Sequence, residues 1–190
     1  MQVNISRYMR YLSILALLFA LACNSTSQTT ATTADTASGV EPSLPDYRYD
    51  PPAVPGEVNT IDTTEAYWHE ILTDQEYDVL REEGTERSFS SPLNDLKAAG
   101  VFACRACGLP LFSSTTKFES GTGWPSFYEP IDPAYVTERV DNTFGMERTE
   151  IECARCGGHQ GHVFLDGPEP TGLRYCINGV ALNFVPEADL

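Results

Sequence analysis

Two Cys-x-x-Cys pairs constrain this chain more than any other feature: Cys104-Arg105-Ala106-Cys107 and Cys153-Ala154-Arg155-Cys156. Two residues between thiolates let both sulfurs face one ion from a tight turn, and two such turns complete a tetrahedral four-thiolate site. Gly108 and Gly157 directly follow the second cysteine of each pair and favour that turn. The spacing predicts one structural Zn²⁺ per chain, pinning distant parts of one domain together. Two redox dithiols or two structural disulfides would use the same four residues. His159 and His162, close behind Cys156, have workable spacing as rival ligands.

The remaining chain falls into three stretches. Order is expected from Thr63, where Thr63-Thr64-Glu65 opens a capped helix carrying Tyr67, Trp68, Ile71 and Leu72. Thr73 with Glu76 forms a capping box for a second helix, ended by Gly84. Beyond Ser88, Gly and Pro punctuate short runs, which reads as β structure with many turns. Segments 101–104, 136–140, 149–153 and 161–165 are expected strands. Asn178-Gly179 between two apolar runs predicts a type I′ hairpin joining 173–177 to 180–184. Residues 63–190 are therefore the expected folded domain.

The first 22 residues read as a signal peptide. Arg7 and Arg10 precede an apolar run from Tyr11 to Ala22, too short to span a bilayer comfortably. Ala20-Leu21-Ala22 precedes Cys23 and resembles a bacterial lipobox, with Cys23 the expected lipid anchor. Ordinary secretory cleavage after Ala22 is the alternative. Residues 23–62 read as a disordered Ser/Thr/Pro-rich tether, because Asn24 to Ser38 holds no large apolar side chain. Export to the bacterial periplasm or cell envelope follows, with membrane association through the lipid alone. Lys and Arg number 12 against 27 Asp and Glu, a net charge of −15, which disfavours nucleic acid as a partner.

Once zinc and lipid are assigned, Cys176 alone remains. Period-2 alternation puts Arg174 and Cys176 on one strand face, with Asn178 just beyond. A cation two residues away favours thiolate. His162 and Phe164 share a face in their own segment, and a histidine can protonate an oxygen when sulfur is attacked. A small buried hydrophobe is the plainer role for a lone cysteine.

Segments 120–127 (Ser-Gly-Thr-Gly-Trp-Pro-Ser-Phe), 156–164 (Cys-Gly-Gly-His-Gln-Gly-His-Val-Phe) and 166–184 (Asp-Gly-Pro-Glu-Pro-Thr-Gly-Leu-Arg-Tyr-Cys-Ile-Asn-Gly-Val-Ala-Leu-Asn-Phe) together resemble the methionine sulfoxide reductase B family. The likeness runs from about residue 64 to 186 and includes both cysteine pairs. It implies a mainly β fold of two antiparallel sheets with short N-terminal helices. It implies reduction of the R epimer of peptide-bound methionine sulfoxide through a sulfenic acid. Cys176 matches the catalytic position, and His162, His159 and Asn178 match residues around the sulfoxide. Trp124 matches the residue that receives the substrate methyl group. Arg174 and Phe184 match pocket positions.

Many members of that family carry a second, resolving cysteine where this chain has Thr122. Its absence implies an external thiol reductant, such as a thioredoxin-like protein, unless an unlipidated Cys23 reaches Cys176. The other expected partners are oxidised proteins or peptides, and the domain is expected to act as a monomer. A zinc-pinned binding module without catalysis is the competing function, since it would share the fold and the four-thiolate site. Gly179 and Gln160 replace a common serine and a common leucine and are expected to carry no chemistry.

Overall fold

The computed structural model describes residues 49–190. The signal peptide, Cys23 and tether residues 23–48 lie outside the described residues. Among those described, no helix is long and apolar enough to cross a membrane.

Two short helices open the domain. Helix α1 spans Glu65–Ile71, with Thr64 as N-cap accepting from the Tyr67 amide. Helix α2 spans Asp74–Glu82 and begins with the expected capping box, Thr73 bonding the Glu76 amide and Glu76 bonding the Thr73 amide. Its end differs from expectation. Glu83, not Gly84, takes the left-handed position at φ 59°. Gly84 is required for room instead, since a Cβ there would overlap the Asp78 carboxylate.

Nine strands follow: β1 Gly100–Cys104, β2 Pro110–Ser113, β3 Lys117–Phe118, β4 Ser126–Phe127, β5 Val136–Asp141, β6 Arg148–Cys153, β7 His159–Phe164, β8 Arg174–Ile177 and β9 Leu182–Pro186. They form two antiparallel sheets, ordered β2-β1-β9 and β3-β4-β8-β7-β6-β5. The fold is mainly β, as the sequence predicts.

An aromatic cluster fills the core. Phe112 stacks on Phe127 at 4.5 Å, Phe102 meets Phe127 edge-on at 5.0 Å, and Phe112 approaches Tyr175 at 5.7 Å. Phe102 and Phe112 belong to the smaller sheet, Phe127 and Tyr175 to the larger, so these contacts bind sheet to sheet. Each fully buried Phe is worth about 1.5–3 kcal/mol over an exposed one. Trp68, Val79 and Leu80 bring the helices to the same core.

The expected β8–β9 hairpin does not form. Asn178 has φ −63° and ψ 123°, not the left-handed geometry of a type I′ turn, and Gly179–Ala181 make a 3₁₀ turn. That turn carries the chain from one sheet to the other, where β9 pairs with β1. The Asn178 amide is spent on tertiary bonds instead, accepting from the Glu86 N–H and donating to the Gln160 carbonyl.

Packing also begins earlier than residue 63. The Asp50 N–H donates to the Gly108 carbonyl, Arg155 binds the Asp50 carbonyl and carboxylate, and the Ile61 N–H donates to the Arg155 carbonyl. Part of the segment read as tether thus lies along the turns that carry the cysteine pairs.

Candidate active site and metal centre

The four paired cysteines converge. Cys104 and Cys107 come from the turn after β1, and Cys153 and Cys156 from the turn after β6, so the cluster joins the two sheets. All four are buried, and their sulfurs lie within 4.8 Å of one another. Cys104 Sγ is 3.7 Å from Cys156 Sγ, and Cys107 Sγ is 3.5 Å from Cys153 Sγ. Sulfurs about 2.3 Å from a tetrahedral ion stand about 3.8 Å apart, so the donor set fits. The turns are built alike: the Gly108 N–H donates to the Cys104 carbonyl and the Gly157 N–H to the Cys153 carbonyl, each at 2.8 Å. His159 bonds Glu150 and His162 bonds Asp141, so neither rival ligand joins the cluster.

Cys176 lies on the other side of β7, half-buried on β8. Its neighbours across the sheet are His162 of β7 and Ser126 of β4, and Arg174 pairs with Phe164. Cys176 lines a cavity of about 200 Å³ with Thr85, Trp124, Arg148, Gly161, His162, Phe164 and Asn178. Burial pushes its thiol pKa up, while the Thr122 hydroxyl, 3.8 Å away, and the Arg174 guanidinium oppose that shift. Arg174 lies over the Phe164 ring at 4.3 Å and is held by both oxygens of Asp166, at 2.8 and 2.9 Å.

A bulge makes the histidine pair possible. Residues three apart on a regular strand face opposite ways. On β7 the register slips, so that Ile151 pairs with Gly161 but Glu152 with His159, leaving Gln160 as the extra residue. The two imidazoles then meet edge to face at 5.5 Å. Gly161 has φ 154°, and a Cβ there would overlap the Cys176 carbonyl. Only glycine lets β7 and β8 approach so closely at the site.

Each histidine is held by a carboxylate. His162 Nε2 lies 2.9 Å from Asp141 Oδ2, which also binds Arg148 at 2.5 Å. The Thr143 hydroxyl and amide, then His162 and Arg148, hold Asp141 well below the usual carboxylate range. Burial lowers the His162 pKa, against the opposing pull of Asp141. His159 Nδ1 lies 2.6 Å from Glu150 Oε1, and Glu150 also binds Arg139. His159 does not line the Cys176 cavity. It lines an adjoining one of about 220 Å³ that shares Thr85, Arg148 and His162 with the first.

Trp124 lines the Cys176 cavity as expected, its Nε1–H donating to the Glu86 carbonyl at 3.2 Å. Phe184 does not. It belongs to the smaller sheet, packs on Phe102 at 5.1 Å and lines a different cavity, of about 440 Å³. The sequence pattern also missed Glu86. Its N–H binds Asn178 Oδ1, its carbonyl binds Trp124, and its buried carboxylate accepts from the Gly179 and Val180 amides at 2.6 and 3.0 Å. One residue thus fixes three parts of the site. The Glu86 pKa is raised by burial, against those two amide bonds.

A half-buried thiol paired across the sheet with an imidazole that bonds a carboxylate makes a candidate thiol site. Residues 72–186 match the SelR domain family. The Agrobacterium fabrum protein called peptide methionine sulfoxide reductase MsrB is 56% identical over 126 residues, 66% of this chain and 93% of that protein. The namesake from Methanosarcina mazei is 56% identical over 131 residues, 69% of this chain and 94% of that protein. That from Leptospira interrogans is 53% identical over 131 residues, 69% and 98% of the two chains. The chain belongs to the methionine sulfoxide reductase B family.

Proposed function

We propose that this protein reduces the R epimer of peptide-bound methionine sulfoxide, with Cys176 as nucleophile. The observation that carries the reading is the register placing Cys176 opposite His162, whose Nε2 is anchored on Asp141. That anchoring leaves Nδ1 as the ring nitrogen for the substrate oxygen. The Cys176 thiolate attacks the sulfoxide sulfur while His162 delivers a proton to the oxygen. The S–O bond breaks and the protonated oxygen leaves as water. A water then attacks the Cys176 sulfur, and the new S–S bond breaks with its electron pair going to the thioether. The products are methionine and a Cys176 sulfenic acid, the cysteine sulfur having lost two electrons. Two electrons from an external dithiol, such as a thioredoxin-like protein, then return the thiol and release water.

Trp124 and Phe164 supply an apolar wall for the methylthio end. Asn178 positions the site through Glu86 and Gln160, since both atoms of its amide are engaged there. His159 acts behind His162, a role that its place in the adjoining cavity supports. Zn²⁺ held by Cys104, Cys107, Cys153 and Cys156 ties the two sheets and takes no part in the reaction. The N-terminal sequence supports export to the cell envelope with lipid attached at Cys23, and repair of exported proteins follows from that location.

Turnover of separated R and S sulfoxide epimers with dithiothreitol tests the reading. Reduction of the R epimer alone is expected, and equal rates for both would overturn it.

A further inference from the structure

We propose that Thr122, Ser120 and Ser126 form a directional hydroxyl chain that accepts from the Cys176 thiol in the resting site and reverses to donate to its thiolate, with the Ser126 anchor resisting the reversal. The proposal rests on Cys176 being the reacting sulfur.

Proton counting fixes the direction. Ser126 Oγ is 3.1 Å from the Trp124 carbonyl oxygen, which can only accept, so Ser126 spends its single proton there. Ser120 Oγ lies 2.7 Å from Ser126 Oγ and must donate to it. Thr122 Oγ1 lies 2.8 Å from Ser120 Oγ and must donate in turn. The Thr122 N–H also donates to Ser120 Oγ, at 3.4 Å, in keeping with Ser120 as acceptor. Thr122 then has only lone pairs left for Cys176 Sγ at 3.8 Å, so the sulfur must be the donor. Ser126 is fully buried and is the cross-strand neighbour of Cys176, so the anchored end cannot turn to solvent.

A thiolate inverts the order. Thr122 donates to sulfur, Ser120 to Thr122 and Ser126 to Ser120, and the Trp124 carbonyl loses its Ser126 donor. The gain is one charge-assisted bond to sulfur. The loss of the Trp124 bond offsets part of that gain, so the anchor keeps more of the sulfur protonated than a free Thr122 donor would, and the thiol is a poor nucleophile for stray oxidants. A site with threonine in place of a resolving thiol has reason to need that protection. The charged or titratable groups around the sulfur are Arg174 on its own strand, Asp166 beyond it, His162 on β7 and Arg148 on β6. Ser126 of β4 pairs with Cys176 across the sheet, and Trp124, just before β4, lines the same cavity; neither carries a charge.

The two ends of the chain should therefore act oppositely. The test is the pH dependence of Cys176 alkylation by iodoacetamide in the zinc-loaded chain, read by mass spectrometry of its peptide. Thr122→Val removes the donor to thiolate and should raise the midpoint by about one pH unit. Ser126→Ala removes the anchor and should lower it by about half a unit or more, with faster sulfenic acid formation in dilute peroxide. Ser120→Ala, at a half-buried position, should lower the midpoint likewise and serves if Ser126→Ala does not fold. Midpoints that move in one direction in all variants, or do not fall in the serine variants, overturn the proposal. Alkylation reports the thiol whether or not the domain reduces sulfoxides, so failure of the enzymatic reading is seen separately, as absent turnover in the parent.

Discussion

Placing serine at position 179 should damage this protein, although the sequence resemblance implies that serine is tolerated at that position in the family. Gly179 begins the 3₁₀ turn after Asn178, and its φ is not in the left-handed region, so space is the issue. A Cβ on Gly179 would overlap Oγ and Cβ of Ser91 and stand 3.3 Å from Glu86 Oε1. Overpacking of this kind costs about 1–3 kcal/mol. The same shift strains the 2.6 Å bond from the Gly179 amide to the Glu86 carboxylate, a charge-assisted bond worth about 1.5–3 kcal/mol. A total loss of about 2–4 kcal/mol is expected for Gly179→Ser. With a urea dependence of about 2 kcal/mol per molar, the unfolding midpoint falls by about 1–2 M at fixed zinc. Ser91→Gly opens the space and alone should cost only a few tenths of a kcal/mol, since glycine is a tolerable cap for the turn it begins. The double variant should recover about 1–3 kcal/mol of the loss, measured as coupling in a double-mutant cycle. Gly179→Ser at parental stability, or equally unstable with Ser91→Gly, would refute the reasoning.

Three further outcomes are expected. The pH profile of kcat/KM should be bell-shaped, because burial lowers the His162 pKa and raises that of Cys176, leaving one proton shared between them in the active form. Activity falls as pH drops through the lowered histidine value, when both groups are protonated, and as pH rises through the raised thiol value, when neither is; an acid limb that persists in His162→Asn would contradict this. Thr122→Cys places a thiol where an oxygen now stands 3.8 Å from Cys176 Sγ, so one turnover without reductant should yield an internal disulfide, two hydrogens lighter by mass, rather than a lasting sulfenic acid. Cys107→Ser should lower bound zinc below one equivalent and the melting temperature by about 10–20 °C, measured by metal analysis and calorimetry, whereas an unchanged melting temperature would deny the metal its role in joining the sheets.

What the sequence made legible is local. Thr64, Thr73 and Glu76 cap helices by bonds to residues three away, and both cysteine pairs close within five-residue turns, so adjacent letters carry the signal. Alternation likewise placed Arg174 and Cys176 on one face. The rest depends on distant pairings. Phe184 sits by a different cavity because β9 pairs with β1 rather than β8, a choice the Asn178-Gly179 dipeptide does not encode once the Asn178 side chain is claimed by Glu86. Asp141 and Glu150 reach the histidines only through the β5–β6–β7 register, and His159 shares a side with His162 only because of the bulge at Gln160. That residue is fully buried, and its side chain donates to the Gly158 carbonyl and lies 3.6 Å from Cys104 Sγ, a structural place that position 160 gives no sign of in the sequence. Residues 49–62 carry no apolar periodicity, and isolated anchors such as Asp50 and Ile61 hold them.

The most direct trial is Cys176→Ser, assayed for methionine sulfoxide turnover with its zinc content measured alongside. Loss of nearly all turnover with about one zinc retained is the expected result. Undiminished turnover in that variant would mean that the chemistry belongs to another sulfur.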